Sequence, residues 1–245
     1  VIDWDFFFVT PEPGHAPMEE WSYYDWGHRE ASFFIQNVWV HRGASFLAAG
    51  KDLPMPNAAW RTFWDRVTLS PDADLYYADS NTHALDQRVL SSATSLLLLD
   101  AHHDSGYDAK DKRLLVLRTA RYTCENWMLV PWRMGVGMAM RYPTWRWYAA
   151  HLEPTPLIPI SRVVDDGASH LGQFDKVFVC RSGAWVPPWC DDAFADFLQI
   201  APVRSWTLVS DQDWTRENDV TAMEDAAAQL REMRRMMDEA KGATK

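Results

Sequence analysis

Asp100-Ala101-His102-His103-Asp104 sets two carboxylates and two imidazoles directly after an apolar run, Ser95-Leu96-Leu97-Leu98-Leu99. In an extended segment residues i, i+2 and i+4 share a face. Asp100, His102 and Asp104 can therefore converge on one point beyond a buried strand, while His103 faces elsewhere. Asp3 and Asp5 repeat the i, i+2 spacing inside the apolar run Val1-Ile2-Asp3-Trp4-Asp5-Phe6-Phe7-Phe8-Val9. Two charges on a buried strand are strongly disfavoured unless something compensates them, and a divalent cation would do so. A third strand-like stretch, Tyr76-Tyr77-Ala78, runs into Asp79-Ser80-Asn81-Thr82-His83-Ala84 and places another imidazole a few residues past a strand end.

Charge counting sets the number of ions. Asp3, Asp5, Asp100 and Asp104 carry about −4 near neutral pH, which two divalent ions neutralise and one does not, with His83 and His102 as neutral ligands. The set is richer in oxygen than structural zinc sites, so manganese is the expected metal, with zinc or iron next. The bland alternative is that the acidic strand ends are polar loop starts that hold no metal.

These residues need a scaffold. With 245 residues, 47% of them hydrophobic, the chain can bury one large core, and a single α/β domain over residues 1–245 is expected. Short apolar runs read as buried strands at Val1 to Phe8, Asp74 to Ala78, Leu96 to Leu99, Leu114 to Leu117, Lys176 to Cys180 and Ser205 to Val209. Strands buried on both faces and alternating with helices imply a three-layer α/β/α sandwich with a mostly parallel sheet, whose ligand sites lie outside the carboxyl ends of the strands. Phe33 to Leu47 fits neither period. Glu217 to Lys241 reads as an amphipathic helix, with Val220, Met223, Ala227, Leu230 and Met237 at helical spacing, expected to cover the sheet.

A net charge of −10 argues against nucleic acid or an anionic membrane as partner and eases the approach of a cationic ligand. Cys124, Cys180 and Cys190 form no paired framework, which suits buried thiols in a reducing compartment. Two aspartates interrupt the first apolar run, so it reads as neither signal peptide nor membrane helix, and a cytoplasmic location is expected. Fourteen tryptophans, several set among Arg and Pro as in Trp145-Arg146-Trp147-Tyr148 and Trp185-Val186-Pro187-Pro188-Trp189, serve either core packing or an aromatic groove for a peptide.

Asp100-Ala101-His102-His103-Asp104 resembles the Asp-Ala-His-x-Asp signature of the arginase (ureohydrolase) superfamily. Asp3-Trp4-Asp5-Phe6-Phe7 resembles its second Asp-x-Asp signature, and Asp79 to His83 resembles, less closely, its Gly-Gly-Asp-His segment without the glycine pair. The motif order is permuted, since the Asp-x-Asp strand comes first here. The resemblance implies a dimanganese centre in which Asp100 and Asp3 bridge the ions, His83 and Asp104 complete one, and His102 and Asp5 the other. Asp-x-Asp-Phe-Phe, the Asp-x-His-x-Asp box and Glu125-Asn126-Trp127 are similar to the branch containing peptide arginases, which convert arginine side chains of ribosomally made precursor peptides to ornithine in natural product biosynthesis.

What that likeness implies is a hydrolase of C–N bonds in linear amidines, in which a metal-bridging hydroxide attacks the guanidinium carbon and releases urea. A guanidinium requires a carboxylate partner, and Glu125 and Glu30 are the candidates. His28 is a candidate proton shuttle, and Asn126 and Trp127 are candidate substrate contacts. Each has a plainer reading: Glu125 as a solvated helix residue, Glu30 and His28 as part of a turn before a helix. Asp191 and Asp192 read as helix caps. An enzyme for free arginine must also recognise the α-carboxylate and α-amine, whereas a peptide enzyme needs an open groove, and the acidic balance and the tryptophans favour the second. Two other functions fit the same motifs: a deacetylase-like amidohydrolase using one zinc ion, and a non-catalytic module that binds a peptide in the aromatic groove.

Overall fold

The computed structural model describes residues 1–9, 32–107, 120–146, 153–210, 216 and 218–243, with the side chains of 32–37 and 242–243 left aside. Seven strands form one sheet: β1 (Ile2–Asp3), β2 (Val67–Ala78), β3 (Ser95–Leu99), β4 (Gly137–Tyr142), β5 (Ser161–Val164), β6 (Gly172–Cys180) and β7 (Trp206–Leu208), in the order β5-β4-β3-β1-β6-β2-β7. Every pairing is parallel. Helices cover both faces, completing a three-layer α/β/α sandwich.

The strand period of two sorts the core. Leu97, Leu99, Leu75, Tyr77, Val177 and Val179 face one layer, and Leu96, Leu98, Tyr76, Ala78, Phe178 and Cys180 face the other. On the first face the 3-10 segments Trp4–Phe7 and Ala58–Arg66 meet α4 (Asp191–Gln199) in an aromatic cluster. Trp64 stacks on Phe197 with centroids 4.9 Å apart, and Trp4 lies 5.1 Å from both Phe7 and Phe197. Many of the tryptophans are therefore core, as aromatic pairing in a dry interior favours. On the second face α2 (Gln87–Leu90) and α3 (Leu129–Arg133) bury Val89, Leu90 and Leu129 beside Trp127.

The structure corrects several expectations. The first strand stops at Asp3, because that carboxylate accepts the Asp5 amide at 3.1 Å and opens a 3-10 turn. Phe33 to Leu47 lies within a helix, α1 (Ser32–Ala48). The carboxyl-terminal helix, α5 (Val220–Ala243), packs mainly along α1 rather than on the sheet; Met223 meets Gly43 and Arg231 donates to the Leu47 carbonyl at 3.2 Å. Strands β4 and β5 were not anticipated. The expected strand at Leu114 to Leu117 lies outside the described residues, as do Glu30 and His28. Among the described residues no helix is long and apolar enough to cross a membrane.

Position matters more than content for the site. Ile2 of β1 pairs with Leu99 of β3 on one side and Val179 of β6 on the other. The chain runs outward from β1 through β3, β4 and β5, while β2, β6 and β7 lie on the opposite side. This is where an open parallel sheet leaves a crevice outside its carboxyl ends.

Candidate metal centre

Two strand ends deliver the acidic residues. Asp3 closes β1, and the turn it caps swings Asp5 back to the sheet edge while Trp4, Phe6 and Phe7 sink into the core. Beyond β3, Asp100 Oδ1 accepts the His102 amide at 2.8 Å, so the segment bends instead of staying extended. Asp104 adopts a φ of 46°, a left-handed conformation uncommon outside glycine. Its surroundings hold it there: the Met128 amide donates to its carbonyl at 3.2 Å, and the Trp127 indole donates to its Oδ2 at 2.8 Å.

The side chains converge. His102 Nδ1 lies 3.2 Å from Asp5 Oδ2 and 3.6 Å from Asp100 Oδ1. One ligand atom each from Asp5, Asp100 and His102 falls within 4.8 Å of the others, a donor set that can hold a divalent metal ion. Asp3, Asp100 and Asp104 are linked through the Asn81 amide, which donates to all three. Burial and mutual repulsion raise the Asp3 and Asp100 carboxyls well above the usual range, and burial pushes Asp104 up to about 8. Buried carboxylates this crowded fit a divalent cation, which relieves the penalty that protonation otherwise relieves.

No protein-family model, curated protein or solved structure matches the chain. Asp5, Asp100 and His102 could coordinate a metal ion, an arrangement consistent with a metal-dependent hydrolase.

Other residues singled out in the sequence take different places. His83 is half-buried, its acidic neighbours are Asp79 and Asp86, and burial lowers its proton affinity. The residue of that turn that reaches the carboxylates is Asn81. Asp79 is taken by Arg181 Nε at 2.8 Å and the Gly183 amide at 3.1 Å. His103 turns away as its alternation implies, with Nε2 2.9 Å from the Pro154 carbonyl. Glu125-Asn126-Trp127 forms the turn before α3: the Glu125 carbonyl accepts the Gly106 amide at 2.8 Å, Asn126 Oδ1 accepts the Thr123 amide at 3.0 Å, and Trp127 is fully buried. Trp127 thus stands behind Asp104 as its support, not against a ligand. Asp191 begins α4 and also pairs with Arg181 at 3.2 Å and with Arg216.

Sequence reading missed three supports. Ser182, at a φ of 56°, gives Asp3 a side-chain hydrogen bond from the loop after β6. Glu153 accepts from the Tyr107 hydroxyl at 2.8 Å, the His103 amide at 3.2 Å and the Tyr142 hydroxyl, tying the metal-box loop to β4. Arg146 brings NH1 to 3.3 Å from His102 Nε2. Of the three only Ser182 carries a strained backbone, and that is invisible without coordinates.

A small cleft of about 20 Å³, partly open to solvent, adjoins the cluster; its walls include Asp5, His102 and Arg146 together with Trp39, Trp145 and Trp185. Trp145 and Trp185 come from the tryptophan-rich stretches read as a possible groove. Trp189 instead packs edge-on against Trp39 at 5.7 Å and donates to the Pro54 carbonyl at 2.9 Å.

Proposed function

We propose that the chain is a manganese-dependent hydrolase of peptidyl arginine, an arginase-like enzyme with permuted motifs that converts the side chain to ornithine and releases urea. The observation that carries this reading is the convergence of Asp5, Asp100 and His102, the first and last of which line a tryptophan-walled cleft, with buried Asp3 and Asp104 tied to Asp100 through Asn81. Asp5, Asp100 and His102 would hold one ion, and Asp3, Asp104 and the shared Asp100 the other. Bound divalent ions supply an acidified water as nucleophile and neutralise charge that develops during its addition.

The protein's own contribution is placement. Trp145 and Trp185 offer aromatic faces, which would attract a guanidinium through their quadrupoles. They also exclude water from the reacting carbon. Trp127, Ser182 and the His102 and Ala101 amides fix the carboxylates, so reorganisation during reaction is small. Water adds to the guanidinium carbon, the bond from that carbon to the side-chain nitrogen breaks, and the departing amine takes a proton to leave as ornithine.

The test is mass spectrometric. Manganese-loaded protein incubated with arginine-bearing peptides should produce urea and a peptide mass loss of about 42 Da, the CH2N2 that this stoichiometry requires, with little turnover of free arginine. Fully loaded protein that leaves every such peptide unchanged rejects the reading.

One observation favours a second reading. Asp5, Asp100 and His102 form a three-ligand set by themselves, which is how a catalytic zinc keeps an open position. A single-zinc amidohydrolase would need only that triple. Uptake of one ion and release of acetate from an acetyl-lysine peptide would select it.

A further inference from the structure

Asn81 stands among the acidic side chains and is 2% exposed. Its Nδ2 lies 2.6 Å from Asp3 Oδ2, 3.0 Å from Asp104 Oδ2 and 3.2 Å from Asp100 Oδ2. An amide nitrogen carries two hydrogens, so three carboxylate oxygens share two donors. The other end of the same group, Oδ1, is buried with no hydrogen-bond partner among the described residues. Buried amide oxygens are nearly always satisfied, and one that is not calls for a reason.

Turning the amide over would set Oδ1 against three carboxylate oxygens, which repel it unless a cation lies between them. With a cation in place the repulsion becomes coordination. Adjacent oxygens around an ion with metal–oxygen bonds of about 2.1 Å are about 3 Å apart, and the amide already stands 2.6 to 3.2 Å from its three neighbours.

We infer that Asn81 is a direct ligand, through Oδ1, of a divalent cation shared with Asp3, Asp100 and Asp104, and that its amide reverses when the ion enters. The inference rests on the hydrolase reading and deepens it by giving the two ions unlike sites. The Asn81 site is all oxygen and suits Mn2+ or Mg2+, whereas the Asp5, Asp100 and His102 site includes an imidazole and also accepts Zn2+. His83 is then not a ligand, in keeping with its place between Asp79 and Asp86.

The experiment titrates Mn2+ into metal-free protein, counting bound ions calorimetrically and reading pairing from the exchange-coupled electron paramagnetic resonance signal. Wild type is expected to take two ions and show a coupled spectrum. Asn81→Ala should keep one ion, bind the second about 100-fold more weakly or worse, and lose the coupled signal. Asn81→Asp retains an oxygen donor and should keep both ions, as should His83→Gln. Two ions at wild-type affinity in Asn81→Ala, or loss of one in His83→Gln, overturns the assignment and leaves the hydrolase reading standing. A wild type that takes a single ion also overturns it, and one that takes none overturns both. If Asn81→Ala does not fold, a crystal structure of the manganese-loaded wild type decides: Oδ1 at about 2.2 Å from an ion is expected, and an amide nitrogen still on the carboxylates overturns the inference.

Discussion

Asp104 concentrates the argument at the scale of one residue. Its carboxyl is pushed up to about 8 by burial, so in metal-free protein it holds a proton that the unfolded chain releases near its ordinary value of 3.8. Between those values the folded state binds more protons than the unfolded one, and stability must fall as pH rises. Metal-free protein is expected to melt at a higher temperature at pH 5 than at pH 8, and saturating Mn2+ should remove the difference. Equal melting at both pH values without metal would contradict the crowding described here. Asp104→Ala should abolish urea release while leaving the fold intact by circular dichroism. Trp127→Phe keeps the ring but removes the donor on Asp104 Oδ2. It should weaken metal binding by about 10–100-fold, the range for lost outer-shell partners, and a calorimetric titration reads it directly.

The i, i+2 spacings picked out side chains that do lie close together, but alternation is only half of the reason. Asp3 and Asp100 do stand at strand ends, but Asp5 and His102 arrive through turns that Asp3 and Asp100 themselves cap. Short-range hydrogen bonding by aspartate competes with strand continuation, which alternation alone does not capture. Asn81 was passed over because an amide beside a histidine draws no attention as a ligand. Glu125-Asn126-Trp127 was read as a source of substrate contacts, whereas Trp127 meets Asp104, and only the tertiary fold reveals which side of the carboxylates it occupies.

At the scale of elements, the loop after β6 does the least expected work. Gly183 approaches Asp79 so closely that a Cβ there would sit 2.5 Å from Asp79 Oδ1, and its carbonyl accepts from Arg216 at 2.7 Å and from the Trp39 indole at 3.2 Å. The same loop carries Ser182 to Asp3. Gly183→Ala must displace this network at an overpacking cost of about 1–3 kcal/mol, and in a protein this size each kcal/mol lowers the melting temperature by about 2–4 °C. Metal affinity should fall with it; an unchanged melting curve would mean the loop relaxes freely. None of this was legible, because nothing local marks a glycine whose neighbour lies 104 residues away. The strands anticipated, β1, β2, β3, β6 and β7, are those that contain or lie within apolar runs. β4 and β5 escaped because Arg141, Ser161 and Arg162 break their patterns near one edge of the sheet. Helix α1 showed no clean stripe since it contacts α5 on one side and the core through Trp39 and Phe46.

At the scale of the whole molecule, alternation of strands with helices was enough to anticipate a parallel α/β/α sandwich, while the strand order was not, since it depends on which crossovers the helices make. Ligation joins segments distant in sequence, so it should couple to global stability. Ions at about one hundred times their dissociation constant add about 2.7 kcal/mol, and chelation should lower the melting temperature by about 5–11 °C. A chelator without effect would show that the carboxylates hold no ion in solution.

Strand β1 has two residues, yet it alone joins β3 to β6. Without it the sheet is two separate ribbons, β5-β4-β3 and β6-β2-β7. The same dipeptide carries Asp3, so inserting this keystone and gathering the carboxylates is one event rather than two. Cation capture would then act as a latch on the seam, and its clearest mark should be kinetic: unfolding in denaturant slowed by Mn2+, with early refolding of either ribbon indifferent to it.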